Sequence, residues 1–366
     1  MDINKIRNDF PMLKNNLKMQ GHNLIYFDNA ATSLKPTCVL NAIKEYYETY
    51  TSNSHRGDYD LEYKVDVKID ETRKNVAKLI NANKDEIVFT SGTTMSLNMV
   101  AMSYALKHLK KGDEILLSEV EHASNILPWF KVKEITGCDI KYIPLDKYGK
   151  VTTDNLLKVI SKNTKIVSLA HISNVIGEEI NAKEIAKIVH SFGAKFVLDG
   201  AQSVPHKKVD VKDLDCDFLA FSAHKMLGPT GVGVLYAKKE LLEDMDTYIV
   251  GGGMNETFKK DFSVISHKAP TKFEGGTLNI EGIIAFNEAI KYLLNLGLDN
   301  IEKIEKDLKK YAISKLKELD NVIIYNEHAE SGIITFNIKV YLLKTQQHIL
   351  IQKVLHLEVV NTALRF

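Results

Sequence analysis

The sequence predicts an α/β protein whose large domain is built around a mostly parallel sheet. Short apolar runs alternate with amphipathic stretches along most of the chain, and several of the runs end on a polar residue. This alternation favours right-handed crossovers, in which a helix joins each strand to the next parallel strand. At 366 residues the chain is long enough to bury a large core and to form two domains.

The individual elements follow from the local pattern. Strands are expected at residues 86–89, 114–118, 139–143, 165–170, 195–199, 218–221 and 232–236. Helices are expected at residues 95–108, 184–192, 280–296 and 300–319. The helix at 184–192 places Ile185, Ile188 and Val189 on one side, and the lysine-rich helix at 300–319 has a solvated charged face.

We divide the chain into a large domain and a smaller one. Residues 21–280 are expected to form the large domain, and residues 281–366 a small C-terminal α+β domain that is incomplete. Residues 1–20 are expected to pack with the small domain. The helix at 280–296 would connect the two.

Composition excludes several classes of protein. The 48 Lys and Arg residues nearly balance the 47 Asp and Glu residues, and the net charge of +1 gives no reason to expect nucleic acid or an anionic membrane as a partner. Three cysteines without CxxC or Cys/His spacing argue against a disulfide framework or a metal site. No apolar run reaches the roughly 18 residues of a membrane span, and the N-terminus lacks a signal core, so a cytoplasmic protein is expected.

Two of the expected strands end beside groups that suit a covalent cofactor. Lys225 follows the apolar run 218–221, and Asp199 ends the run 196–199. Because parallel strands end at one edge of a sheet, Lys225 and Asp199 would face one crevice. Pyridoxal phosphate requires this pair, a lysine for its aldehyde and a carboxylate for its ring nitrogen. The alternatives are a lysine that simply reaches water and a structural salt bridge.

A third segment is suited to bind phosphate. Thr90-Ser91-Gly92-Thr93-Thr94 follows an expected strand and opens a helix. The N-terminus of a helix offers free N–H groups and a positive dipole end, to which Thr93 and Thr94 add hydroxyls. Ser222 and His224 offer further donors from the lysine strand. The alternative for the turn is an ordinary helix cap.

Longer motifs support the same interpretation. They are Ala30-Ala31-Thr32, His55-Arg56-Gly57, Ser91-Gly92-Thr93-Thr94, Glu121-His122, Asn125-Ile126-Leu127-Pro128-Trp129, His171-Ile172-Ser173-Asn174, Asp199-Gly200-Ala201-Gln202-Ser203, Ser222-Ala223-His224-Lys225-Met226-Leu227-Gly228-Pro229-Thr230-Gly231 and Phe273-Glu274-Gly275-Gly276-Thr277. In this order the chain resembles the cysteine desulfurases of the SufS type, in the class V aminotransferase group. The resemblance implies pyridoxal-phosphate fold type I and extends from about residue 10 to about residue 338.

The resemblance also implies roles for single residues. Lys225 would bind the aldehyde and move the Cα proton, Asp199 would pair with the ring nitrogen, and Gln202 would bind the ring hydroxyl. His122 would stack on the ring, although a lone histidine is often a satisfied core residue. The residues that would bind phosphate are Thr93, Thr94, Ser222 and His224, with Thr277 reaching the partner's cofactor in a homodimer. Asn174 and Arg56 would contact the substrate, although Arg56 is alternatively a surface residue.

The resemblance ends at Lys339. The family carries a sulfur-accepting cysteine in an Arg-x-Gly-x-His-Cys context, and an arginine beyond it that binds the substrate carboxylate; residues 354–362 contain neither this cysteine nor its context. One hypothesis is a frameshifted or truncated reading frame, which resequencing of the locus tests. Apolar residues between Ile349 and Leu357 fit either a helix or an exposed adhesive segment.

Cys38, Cys138 and Cys216 are poor substitutes for the missing thiol. Cys38 begins a helix, whose N-terminus lowers a thiol pKa, but a buried structural role is the alternative.

The leading interpretation is therefore a cysteine desulfurase, serving sulfur transfer to an acceptor protein and iron–sulfur cluster assembly, with impaired desulfuration. The alternatives are a selenocysteine-lyase-like or other C–S lyase, and a non-catalytic dimeric scaffold that retains the cofactor.

Overall fold

The computed structural model describes residues 2–19, 21–54 and 59–339, and the backbone of Leu355 and His356. Its helices are α1 (Ile3–Asn8), α2 (Pro11–Lys14), α3 (Thr37–Thr49), α4 (Asp60–Leu79), α5 (Thr93–Met99), α6 (Leu106–His108), α7 (Leu127–Thr136), α8 (Thr153–Leu157), α9 (Ala182–Ser191), α10 (Val211–Leu214), α11 (Lys239–Asp244), α12 (Ile280–Leu296) and α13 (Leu298–Leu316).

The strands are β1 (Lys18–Met19), β2 (His22–Asn23), β3 (Ile25–Tyr26), β4 (Ile87–Thr90), β5 (Glu114–Ser118), β6 (Asp139–Ile143), β7 (Thr164–Ala170), β8 (Lys195–Asp199), β9 (Phe218–Ser222), β10 (Gly233–Ala237), β11 (Asn255–Phe258), β12 (Val264–Ser266), β13 (Val322–Ile324), β14 (Phe336–Ile338) and β15 (Leu355–His356).

The central sheet has seven strands in the order β4-β10-β9-β8-β7-β5-β6. Strand β10 is antiparallel to both of its neighbours, and the other strands run in one direction. The predicted α/β class with a mostly parallel sheet is confirmed. Because parallel strands need long crossovers, helices return the chain across both faces of the sheet.

Two apolar layers enclose the sheet. Phe196 and Leu198 of β8 pack into the layer that contains α3, α4, α9 and α12. Val197, between them, packs into the opposite layer with α5, α7 and α11. Alternate side chains of one strand thus enter two cores, which explains why the strands read as nearly continuous apolar runs.

The structure differs from the expected elements at the helix after β4. This helix begins at Thr93 rather than at residue 95, because Gly92 already serves as its N-cap. Its middle part, Val100–Ala105, is π-helical, and α6 follows directly. The shift from i+4 to i+5 hydrogen bonds leaves no mark in an apolar pattern, so the sequence does not indicate it.

After α12, the described chain contains one helix and a pair of short strands before Lys339. Strands β13 and β14 pair antiparallel, and α13 precedes them. β15 pairs in parallel with β3 through Leu355 and His356. The remaining residues after Lys339 lie outside the described residues, as does most of the apolar stretch 349–357. Within the described ranges, no helix is both long and apolar enough to cross a bilayer.

Candidate active site

The carboxyl ends of the parallel strands meet at one edge of the central sheet. β8 ends at Asp199, which is in register with Ala170 at the end of β7 and with Ala220 of β9. Ligand sites in open parallel sheets lie at this edge. The loops that follow these strands therefore form the candidate site.

Lys225 lies where the sequence predicts it. It ends the single 3-10 turn Ala223–Lys225, which follows β9 directly. Asp199 is buried at the neighbouring strand end and accepts a hydrogen bond from Ala201 N at 2.9 Å. Burial raises the pKa of Asp199, while the positive charge of Lys225 opposes this shift. The structure thus brings an amine and a buried carboxyl group together.

His122 and Gln202 border the same crevice. His122 precedes the 3-10 turn Ala123–Asn125, and its Nδ1 accepts a hydrogen bond from Ser124 N at 3.1 Å. The imidazole is exposed, so the alternative of a satisfied core histidine is wrong. Gln202 is buried, and its Nε2 donates to Ala30 O at 2.8 Å. An imidazole that accepts at Nδ1 keeps its proton on Nε2 when neutral.

The predicted phosphate donors lie at the start of α5. The hydroxyl of Ser222 accepts from Thr93 N at 2.8 Å and pairs with Thr93 Oγ1 at 2.7 Å. Thr94 is exposed and pairs through its hydroxyl with Ser124 Oγ at 2.7 Å. A β-carbon added at Gly233 would lie 2.3 Å from Gly92 Cα, so β10 approaches the turn as closely as glycine permits.

His224 completes this set of donors. Its side chain is half-buried, and burial together with the positive charges of Lys225 and Lys35 lowers its pKa. The imidazole is therefore neutral near pH 7 and offers one N–H. Hydroxyls, a helix N-terminus and an imidazole suit a phosphate, and the pair Lys225 and Asp199 suits an aldehyde and a ring nitrogen. These residues fit pyridoxal phosphate.

Two of the remaining predicted residues lie in loops of the described chain. Asn174 is half-buried in the turn after β7, and Thr277 is exposed in the segment before α12. Arg56 lies outside the described residues. Its predicted contact with the substrate remains an expectation from the sequence.

Glu121 is a buried residue of the site to which the sequence analysis assigned no role, although it belongs to the motif Glu121-His122. Its carboxyl oxygens accept hydrogen bonds from Ser118 Oγ at 2.5 Å, Asn125 Nδ2 at 2.7 Å and Ala170 N at 2.7 Å. The carboxyl group thereby ties the loop after β5 to the end of β7, next to Asp199. Nothing in the sequence indicates that Glu121 turns inward while its neighbour His122 turns outward.

We expect Glu121→Gln to remove one pH dependence of folding stability. Burial, with a smaller contribution from the charge of Asp199, raises the pKa of Glu121 from 4.5 to about 8. The folded state therefore holds this proton more tightly than the unfolded state does. The stability it contributes is complete below pH 4.5 and is lost as the pH rises through about 8.

Urea unfolding across this pH range measures the effect. The free energy of unfolding of the wild type should fall relative to Glu121→Gln, by at most about 1.4 kcal/mol per pH unit. Glu318→Gln is a suitable control because that side chain is exposed. The prediction is wrong if the difference in free energy of unfolding between the wild type and Glu121→Gln stays constant with pH.

Two of the three cysteines lie away from this edge. Cys138 and Cys216 are buried and precede β6 and β9, so they lie near the amino ends of the strands. Cys38 is half-buried near the start of α3, which agrees with a structural role rather than with an ionised thiol. Burial raises the pKa of all three thiols, and outweighs the helix N-terminus at Cys38.

Known proteins resemble this chain in both sequence and fold. Residues 25–359 match the family described as Aminotransferase class-V. A probable cysteine desulfurase from Halalkalibacterium halodurans is 44% identical over 340 residues, which are 93% of this chain and 83% of the relative. The apo structure of a cysteine desulfurase from Thermococcus onnurineus NA1 is 37% identical, with a TM-score of 0.90 over 96% of this chain and 86% of that chain.

A second solved structure is similar to this chain in sequence and fold. The cysteine desulfurase CsdA from Escherichia coli is 33% identical, with a TM-score of 0.89 over 97% of this chain and 87% of that chain. The resemblance found in the sequence is confirmed, and the family match continues to residue 359, beyond the end at Lys339 that the motifs indicate. The chain belongs to the class-V aminotransferase family, pyridoxal-phosphate-dependent enzymes of fold type I, and is a homologue of the cysteine desulfurases.

Proposed function

We propose that this chain binds pyridoxal 5'-phosphate through Lys225 and acts on the Cα–H and C–S bonds of L-cysteine. The placement of Lys225 beside the buried Asp199, at two neighbouring strand ends, carries the proposal. The names of the related desulfurases support cysteine as the substrate. When bound, the cofactor supplies an aldehyde for a lysine and a ring that withdraws electrons from Cα.

Different residues would bind the ring and the phosphate of the cofactor. Asp199 would hold a proton on the ring nitrogen, because a carboxylate beside that nitrogen stabilises its protonated form. Gln202 would bind the ring hydroxyl, and the exposed face of His122 would cover the ring. The proposed phosphate ligands are Thr93, Thr94, Ser222 and His224.

Lys225 has a second proposed task, which is to take the proton from Cα of the substrate. Its amine belongs to the strand end that would hold the cofactor, and it would therefore be within reach of the reacting carbon. Asn174 and Arg56 would orient the substrate carboxylate. Orientation of this kind is worth several orders of magnitude in rate.

Sulfur transfer is the step that we propose to be impaired in these 366 residues. A thiol that accepts sulfur must be accessible and ionised at neutral pH. Cys138 and Cys216 are buried, and burial raises the thiol pKa of each cysteine in the chain. Removal of the Cα proton, in contrast, needs only residues that lie at the site.

The position of the thiols also favours a second candidate function, a C–S lyase. Such an enzyme releases sulfur without passing it to a protein thiol, and selenocysteine or cystine would then be the better substrate. The non-catalytic scaffold differs from both, because its cofactor absorbance would not respond to any amino acid.

We further propose a homodimer in which Thr277 reaches the partner's phosphate. Exposed apolar side chains in and beside the hairpin β11–β12 support a buried contact there, namely Val250, Phe258, Phe262, Val264 and Ile265. Thr277 is exposed in the segment that leads into α12. Cytoplasmic location, a sulfur-acceptor protein and use in iron–sulfur cluster assembly remain predictions.

One experiment on the purified full chain tests the main proposal. We expect added pyridoxal phosphate to give a visible absorption band that borohydride reduction bleaches and fixes. L-Cysteine should change the band, and alanine should form slowly unless an external thiol such as dithiothreitol is added to accept sulfur. Selenocysteine and cystine, tested in parallel, distinguish the lyase.

The outcomes separate the alternatives. No band, or a band that borohydride does not fix, would reject the cofactor proposal. A band that no amino acid changes would favour the scaffold. Alanine release that is rapid and independent of any added thiol would reject the impairment.

A further inference from the structure

The carbonyl oxygen of His224, the residue before Lys225, accepts hydrogen bonds from four donors of one distant segment. The donors are Ser33 N at 2.9 Å, Ser33 Oγ at 3.0 Å, Lys35 Nζ at 3.0 Å and Thr32 Oγ1 at 3.1 Å. A carbonyl oxygen has only two lone pairs, so this acceptor is saturated. The donors therefore fix the direction of the peptide that joins His224 to Lys225.

Ser33 also holds the far side of the lysine turn. Leu227 N donates to Ser33 Oγ at 2.8 Å. Leu227 has φ of 67°, in the left-handed region that residues other than glycine rarely adopt. A single hydroxyl thus bridges the backbone before Lys225 and a strained residue after it.

The internal hydrogen bonds of the turn use a different carbonyl. Met226 N and Gly228 N both donate to Ala223 O at 2.9 Å. These two bonds close the turn, but they do not involve the carbonyl of His224. Thr32, Ser33 and Lys35 restrain that carbonyl.

The segment that supplies the donors is itself anchored. The Tyr26 hydroxyl donates to Thr32 O at 2.6 Å, and α3 begins at Thr37. Gln202 Nε2 donates to Ala30 O within the same stretch. Lys35 Nζ donates to the carbonyls of both Ser33 and His224, and a charged donor makes a stronger bond than a neutral one.

We propose that Ser33 and Lys35 are positioning residues that hold the His224 carbonyl and thereby fix the direction in which Lys225 presents its amine. The inference deepens the proposed function, since it takes Lys225 as the lysine that binds the cofactor aldehyde. In this role Ser33 and Lys35 act through the backbone of the turn. Correct orientation of a nucleophile raises its rate of attack without changing its chemistry.

Lys35→Met tests the proposal, because methionine keeps much of the length of lysine and removes the donor. In the protein without cofactor, we expect amide hydrogen exchange at residues 226–228 to become about tenfold faster. Capture of pyridoxal phosphate at Lys225, fixed by borohydride and located by mass spectrometry, should slow by about tenfold. Ser33→Ala should act in the same way, and Lys35→Arg should restore both rates.

Pyridoxine 5'-phosphate separates positioning from general damage. It lacks the aldehyde, so its affinity reports the phosphate and ring contacts but not the approach of Lys225. We expect this affinity to change much less in Lys35→Met than the rate of capture at Lys225 does. Lys44→Met is the matched control, since Lys44 is an exposed lysine of α3 and forms a surface ion pair with Glu48.

The outcomes test the positioning role of Ser33 and Lys35 separately from the proposed function. If the wild type captures no cofactor at Lys225, the proposed function fails. The amide exchange rates alone then test whether Ser33 and Lys35 restrain the turn. If Lys35→Met and Ser33→Ala exchange amides and capture the cofactor at the same rates as the wild type, the positioning role is wrong. If both variants fail to fold, Thr32→Val removes one donor at nearly constant volume, and unchanged exchange at 226–228 would then overturn it.

Discussion

Lys225→Ala is expected to abolish the covalent capture of pyridoxal phosphate at position 225 while leaving the protein folded. Lys225 lies in a short turn at the edge of the sheet, where alanine fits without a cavity in the core. Borohydride should then fix no label in the peptide that contains residue 225, and Lys35 should not replace Lys225, because its ammonium donates to the carbonyls of Ser33 and His224. Turnover of L-cysteine should fall by at least about a thousandfold, since one residue serves as both nucleophile and base.

Lys44→Ala controls for the loss of a lysine as such. It removes an exposed side chain of α3 and should retain full labelling of Lys225. Mass spectrometry of the reduced, digested protein measures the label at each lysine. Equal turnover in Lys225→Ala and the wild type would be incompatible with the proposed function.

Arg73→Met is expected to cost about 3–5 kcal/mol of folding free energy, because it leaves a buried carboxylate without its cation. Arg73 of α4 forms two hydrogen bonds of 2.8 Å with the oxygens of Glu274, and both residues are buried. Glu274 Oε1 also accepts from Phe89 N at 2.7 Å. The pair joins α4, β4 and the segment that leads to Thr277.

A double variant separates the charge from the packing. In Arg73→Met/Glu274→Gln the amide oxygen still accepts from Phe89 N, but no charge is left buried. We expect this protein to be more stable in urea titrations than Arg73→Met alone. Lys315→Met, which breaks the exposed pair with Glu318, should cost less than about 1 kcal/mol. A similar small loss in Arg73→Met would contradict the prediction.

The regular elements were predictable because their signals are local. β5, β6, β8 and α12 lie at the residues that the apolar pattern predicts. The same pattern placed Asp199 and Lys225 at one sheet edge, since a parallel sheet brings the ends of its strands together whatever their separation in sequence. For this reason the two groups that define the proposed cofactor site were within reach of sequence reasoning.

The direction in which a loop side chain turns was not predictable in this way. Glu121 and His122 are neighbours in sequence, yet one is buried against the end of β7 and the other is exposed. Likewise, nothing near Lys35 indicates that its ammonium donates to the carbonyl of His224. Such contacts join residues that lie far apart in the chain, and they exist only after the sheet has formed.

The sequence by itself determined the class of fold, the order of its elements and the chemistry available at the strand ends, because periodicity and residue type are properties of short segments. Only the tertiary structure decided which groups are buried, and hence that the thiol pKa of Cys38 is raised and that Glu121 holds a proton near neutral pH. The reason is physical. Desolvation and hydrogen bonding depend on every atom packed around a group, and most of those atoms come from distant parts of the chain.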